Sequence, residues 1–283
     1  MRIIELVSEM QQLADQWRRQ GKRIGFIPTM GFLHEGHLAL MREAKNRADV
    51  VAVSVFVNPT QFGPNEDFER YPRDMQRDVR LCTDVGVDVI FAPSVPEMYP
   101  EGFQTGIEVS KVTIPLCGRS RPGHFVGVAT VVTKLFNSVK PHLAIFGQKD
   151  YQQWVVIRRM VQDLNMDIEV VGHPTVREPD GLAMSSRNSY LSPDERQVAL
   201  RLSRSLKAAQ DLVDRGETGG EVILEKVRDI LDSGGGLRID YVQLCHPDTL
   251  EEAPRVDEPA VLLLAAFVGK TRLIDNCVLR PGK

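Results

Sequence analysis

The chain has 283 residues, 42% of them hydrophobic and 26% charged, with a formal net charge of −3. That length holds one large domain or two smaller ones. The near-balanced charge excludes nucleic acid and anionic membrane as expected partners, and no apolar run approaches the ~20 residues that a membrane span needs.

The opening stretch, "MRIIELVSEMQQLADQWRRQGKR", predicts an amphipathic helix with Ile3, Ile4, Val7, Met10 and Leu13 as its buried stripe. Glu5, Glu9 and Asp15 interrupt the apolar core that a signal peptide would need. "RIGFIPT" then reads as a strand and 36–47 as a helix. "VVAVSVFV" (50–57) is apolar on both faces, as in a buried parallel strand. A helix over 74–84, a strand over 87–93, a helix in "HFVGVATVVTKLFNSV" and a strand in "HLAIFG" follow. "YQQWVVIRRMVQDL" reads as a further helix and "DIEVVGHP" as a strand. This alternation predicts βαβ units and a parallel sheet covered on both faces.

The pattern changes near Pro174. "REPDGLAMSSRNSYLS" is loop-like, and Ser192, Pro193 and Glu195 then fit the N-cap, first and third positions of a long helix that ends at Gly216. A second helix over 220–231 precedes three strands, in "DYVQLC", "AVLLLAAFV" and "TRLIDNCVL". The expected fold is therefore α/β: a parallel-sheet domain over 1–175 and a smaller C-terminal α+β domain over 176–283. Cys82, Cys117, Cys245 and Cys277 are scattered with no C-x-x-C pair, which points to reduced thiols in a cytoplasmic protein.

Ligands of an open parallel sheet bind beyond the carboxyl ends of its strands. Four unusual stretches fall there. In "PTMGFLHEGH", a helix start supplies unpaired N–H groups and a positive dipole end, suited to phosphate. Gly31 and Gly36 allow close backbone approach, and His34 and His37, at i and i+3, share one face of the first turn as hydrogen-bond donors. The alternative is a pair of ordinary surface histidines. "HEGH" is one residue short of the H-E-x-x-H zinc motif, and no third ligand is evident. In "GQKDYQQ", Lys149 is a flexible cation suited to phosphate, and Asp150 suits a ribose hydroxyl or a magnesium water. In "MSSRN", Arg187 presents a planar fork for phosphate oxygens beside Ser185 and Ser186, unless the stretch is a plain domain linker. After the second strand, Gln61 is a neutral amide suited to reading a hydroxyl or carboxylate, as is Gln153. Arg119, Arg121 and His124 form a further candidate anion-facing turn.

Taken in order, "PTMGFLHEGH", "FVNPTQF", "RPGHFVGVATVVTKLFN", "GQKDYQQ", "DGLAMSSRNSYLS" and "TRLIDN" resemble the pantoate–β-alanine ligases (pantothenate synthetases) of the nucleotidylyltransferase superfamily, along nearly the whole chain. Val126 stands where the family pattern has Arg, and Arg187 where the superfamily's second loop has Lys. The resemblance implies a Rossmann-like first domain and an ATP-dependent condensation of (R)-pantoate with β-alanine through pantoyl adenylate. It implies ATP contacts at Met30, Gly31, His34, His37, Gly147, Gln148, Lys149, Asp150, Val176, Met184, Ser185, Ser186 and Arg187. His37 matches the family's proton donor. Gln61 matches a contact to pantoate and β-alanine, and Gln153 a contact to pantoate. Magnesium accompanies ATP, with no metal held by protein alone. A homodimer is implied, with the C-terminal domain as lid and dimer side. Two rivals remain at this level: a nucleotidylyltransferase acting on a phosphorylated acceptor, and a nucleotide-binding protein without turnover.

Overall fold

Runs of β-branched residues apolar on both faces become the strands of one sheet in a computed structural model that describes residues 1–64 and 66–282. In chain order the elements begin β1 (Arg2–Ile4), α1 (Val7–Arg19), β2 (Ile24–Thr29), α2 (Glu35–Arg47), β3 (Val50–Val55), α3 (Met75–Val85) and β4 (Val89–Phe91). Two short helical turns, α4 (Val95–Met98) and α5 (Cys117–Ser120), lead to α6 (His124–Val139), β5 (Leu143–Gly147), α7 (Tyr151–Asp163) and β6 (Glu169–His173). These six strands form one all-parallel sheet in the order β1-β4-β3-β2-β5-β6. Val50, Val51, Ala52 and Val53 of β3 are all buried, so the strand is covered on both faces.

The first residues differ from the expectation. Arg2–Ile4 is a strand, paired parallel to β4 with Ile3 opposite Ile90 and Ile4 opposite Phe91. Ile4 is buried while Ile3 is exposed, the two-residue alternation of an edge strand. The helix starts only at Val7, and its buried stripe is Met10, Leu13, Ala14 and Trp17. β-branched isoleucines beside an open sheet edge gain more from the ladder than from another helical turn.

The chain divides into two units. One comprises Met1–Gln148 with Gln153–Pro174, and the other comprises Lys149–Gln152 with the chain from Thr175 onward. The second contains α8 (Pro193–Asp214), α9 (Gly220–Asp232), β7 (Leu237–Cys245), β8 (Ala260–Val268) and β9 (Thr271–Leu279). The three strands form an antiparallel sheet in the order β7-β8-β9. Leu202 and Leu206 of α8, Ile223 and Val227 of α9, and Leu262 and Leu264 of β8 share its core. Ser192 caps α8 by accepting from the Glu195 N–H at 3.2 Å, and Glu195 accepts in return from the Ser192 N–H at 2.9 Å. The protein thus pairs a Rossmann-like α/β unit with a smaller α+β unit. No disulfide joins the four cysteines. Burial pushes the thiols of Cys82, Cys245 and Cys277 up to about 12, which leaves them protonated and unreactive. Among the described residues, no helix is long and apolar enough to cross a membrane.

Candidate active site

Moving outward from β2, strand order runs through β3 and β4 on one side and through β5 and β6 on the other. The reversal lies between β2 and β5, and a parallel sheet binds ligands at the carboxyl ends flanking such a point. The segments leaving those ends begin at Met30 and Gln148, so the topology selects two of the stretches singled out by sequence.

The loop after β2 is held from beneath by α3. Gly31 has φ +81°, and a Cβ there would stand 2.9 Å from both an Asp78 carboxylate oxygen and a Val55 methyl. Phe32 follows with φ +50°. This backbone is stabilised by Asp78, which is buried and accepts from the Phe32 and Leu33 N–H groups, each at 2.8 Å. Burial pushes the Asp78 carboxyl above the usual aspartate range, against the opposing pull of these two bonds. Arg77 adds a bond to the Leu33 carbonyl at 2.6 Å and lies over the Phe32 ring.

α2 then begins with His34 as N-cap and His37 as third residue. The His34 N–H donates to His37 Nδ1 at 3.3 Å. That contact needs Nδ1 unprotonated, so the neutral ring carries its proton on Nε2. The two rings lie 4.0 Å apart.

The turn after β3 carries Gln61, and its amide is oriented by buried Asn58. Asn58 Nδ2 donates to the Gly127 carbonyl at 3.2 Å and to Gln61 Oε1 at 3.1 Å. Asn58 Oδ1 accepts from the Tyr99 hydroxyl at 2.8 Å and the Thr60 hydroxyl at 2.9 Å. Gln61 therefore turns its NH2 the other way, 3.4 Å from Met30 sulfur. The Gln61 carbonyl accepts from His124 Nδ1 at 2.8 Å and from Arg121 at 3.3 Å.

Gly147 ends β5, and Gln148 follows it. A Cβ on Gly172 of β6 would stand 2.9 Å from the Gln148 amide nitrogen and 2.7 Å from the Trp154 ring. Gln153 is partly buried in the first turns of α7. In the second unit, Lys149 is mostly buried, its ammonium 3.8 Å from the half-exposed Asp150 carboxylate. Val176 and Met184 face each other across a tight hairpin, with the Met184 N–H bonded to the Val176 carbonyl at 3.0 Å. Ser185 then accepts from the Arg187 N–H at 3.3 Å, and Ser186 is buried. The first unit thus gathers Met30, His34, His37 and Gln61 on adjoining loops, and the second carries Lys149, Asp150 and the segment from Val176 to Arg187.

One candidate is corrected. Arg121 does not offer its charge to a ligand, because its guanidinium grips Glu66 at 2.7 and 2.5 Å and also meets His124. Arg119 is exposed. Sequence reasoning missed Asp78. Its signal was an acid four residues before Cys82, on the buried stripe of α3. Among the described residues, no group of three His, Cys, Asp or Glu side chains is arranged to hold a metal.

The model of the pantoate–β-alanine ligase family matches residues 2–278. The chain is 66% identical over 282 residues to the pantothenate synthetase of Syntrophobacter fumaroxidans, covering 100% of both, and 58% identical over 279 residues to that of Thermotoga petrophila, covering 99% and 100%. The fold matches a crystal structure of pantothenate synthetase from Thermus thermophilus with TM-score 0.95 at 47% identity, covering 99% and 100% of the two chains. It matches the Francisella tularensis pantoate–β-alanine ligase, solved with a β,γ-ATP compound and β-alanine, with TM-score 0.81 at 35% identity, covering 98% and 97%. The chain belongs to the pantoate–β-alanine ligase family, and it is a ligase that condenses pantoate with β-alanine at the expense of ATP through pantoyl adenylate.

Proposed function

We propose that His34, His37, Lys149 and Arg187 of this ligase stabilise charge at the phosphates of ATP while Gln61 and Gln153 hold pantoate. A pantoate carboxylate oxygen attacks the α-phosphorus, the bond to the bridging oxygen breaks, and pyrophosphate leaves. The β-alanine nitrogen then attacks the activated carbonyl carbon, the C–N bond forms, and AMP leaves. Such a phosphoryl centre needs positioning and charge stabilisation more than covalent help. Met30, Gly31, Gly147, Gln148, Asp150, Val176, Met184, Ser185 and Ser186 complete the ATP site, with Val176 beside adenine. The Gln61 NH2 suits the oxygens of pantoate and β-alanine, since Asn58 occupies its carbonyl.

Magnesium arriving on ATP needs only one or two protein carboxylates, and half-exposed Asp150 beside Lys149 fits that role. The ion would neutralise charge on the departing pyrophosphate. The resemblance also supports a homodimer, with the second unit as lid and dimer side, and scattered cysteines without disulfides fit the reducing cytoplasm.

The observation that carries the reading is the His34 N–H bond to His37 Nδ1. It supports reading His37 as a hydrogen-bond donor through Nε2 rather than as a proton donor. The adenylation rate is then expected to stay level or rise between about pH 6 and about pH 8, and His37→Ala to lose on the order of 10²-fold. A rate that falls steadily over that interval would restore the proton-donor role. A variant with normal turnover would remove His37 from the site.

A further inference from the structure

The middle of β9 holds two adjacent polar side chains, Asp275 and Asn276, both buried. Asp275 lies opposite fully buried Leu264 of β8 and shares its phase with Leu273, so the sheet places a carboxylate in line with its own core. An apolar pair of the same volume would stabilise such a core at least as well. What a polar pair adds is direction, and both groups spend it on residues assigned to ATP.

Asp275 accepts from both terminal nitrogens of Arg177, at 2.7 and 2.9 Å, in a two-pronged pairing. Arg177 also donates to the Gly181 carbonyl at 3.1 Å, tying the turn of the hairpin in which Val176 pairs with Met184. Met184 runs directly into Ser185, Ser186 and Arg187. Asn276 reaches elsewhere. Its Nδ2 donates at 2.9 Å to the carbonyl of Lys149, 127 positions earlier in the chain. Lys149–Gln152 accordingly belongs to the second unit, although the chain on either side of it belongs to the first.

We propose that Asn276 and Asp275 are positioning residues for adenylation: Asn276 holds the turn that presents Lys149, and Asp275, through Arg177, holds the hairpin that presents the Met184–Arg187 loop. One strand of the second unit thereby fixes both of that unit's phosphate-directed cations in a single frame. The proposal rests on the assignment of Lys149 and Arg187 to the phosphates of ATP.

The test is a double-mutant cycle on pantoate-dependent ATP–pyrophosphate exchange, with thermal unfolding recorded for every variant. Asn276→Ala is expected to lower kcat by about 10-fold with the pantoate KM within about 2-fold, since a displaced donor costs the transition state and not pantoate binding. Lys149→Ala is expected to lose on the order of 10²-fold, and the double variant to be no slower than Lys149→Ala alone. Asn276→Ser, too short to reach the Lys149 carbonyl but still polar, carries the same comparison if the alanine variant does not fold. Losses that multiply, or an Asn276 variant with unchanged kcat, would overturn the positioning role while leaving Lys149 in place. Normal exchange by Lys149→Ala would overturn the Lys149 assignment and the proposal with it. A merely structural Asn276 would lower the melting temperature and slow both backgrounds alike.

Discussion

A single buried carboxylate braces the loop that leads into the two histidines of the first unit. Asp78 gives one oxygen to each of two consecutive backbone N–H groups, at Phe32 and Leu33. Asn at this position would keep one acceptor and set an NH2 against the other N–H. Asp78→Asn is therefore expected to cost about 1.5–3 kcal/mol of stability, since hydrogen bonds to a charged acceptor are lost and one donor is left facing another. With the loop loosened, adenylation should fall by about 10-fold. Denaturant unfolding and exchange rates check the two effects, and a variant unchanged in both would remove Asp78 from this role. The sequence shows Asp78 only as an acid early in a helix. Its two acceptor bonds span 46 and 45 positions, a pairing that no local pattern encodes. The histidines stood out as candidates from a local pattern: a helix start, a spacing of three, Gly31 before the pair and Gly36 within it. The tautomer of the neutral His37 ring was not legible, since it depends on which backbone N–H meets Nδ1.

At the level of elements, α6 closely approaches the turn carrying Gln61. Gly127 makes it possible: a Cβ there would stand 2.3 Å from the Thr60 carbonyl oxygen. From the same helix, His124 donates through Nδ1 to the Gln61 carbonyl at 2.8 Å, so its neutral ring accepts from Arg121 at Nε2. Gly127→Ala is expected to push the turn away, at a cost of about 1–3 kcal/mol, and to raise the pantoate KM several-fold while leaving that for ATP nearly unchanged. Steady-state kinetics with each substrate varied would show this, and equal changes in both constants would contradict it. α6 itself was legible from its apolar spacing despite its valines and threonines. β1 was not, because Ile3 and Ile4 continue a helical spacing into Val7 and only the neighbouring β4 decides their conformation. Arg121 looked anion-facing for the same reason: Glu66, its partner, lies 55 positions away.

For the molecule as a whole, alternating strands and helices announced the parallel sheet, and the order change past Pro174 announced the α+β unit. The pH response is a property of the assembled fold. His142 Nδ1 accepts from the Ile24 N–H at 2.9 Å at the start of β2, and burial, with the nearby charges of Arg18 and Arg23, depresses its pKa below 6.5. The folded state then binds fewer protons than the unfolded chain, so this stabilisation is fully present above about pH 6.5 and is lost as pH falls through the depressed value. Burial works to raise the Glu66 carboxyl, but the Arg121 bond and charge outweigh it and hold the group below 4.5. Its contribution is therefore lost only as pH falls below 4.5 through the folded value. Stability should decline in two windows, and His142→Asn, which keeps an acceptor for Ile24, should flatten the upper one. Unfolding curves at pH 7, 6 and 5 would test this, and an identical slope in the variant would contradict it. Along the reaction itself, the enzyme forms pantoyl adenylate before β-alanine reacts. The direct measurement is ATP–pyrophosphate isotope exchange with magnesium and pantoate and without β-alanine. Exchange is expected with pantoate present and is expected to vanish when pantoate is withheld. Pantothenate production without any pantoate-dependent exchange would contradict it.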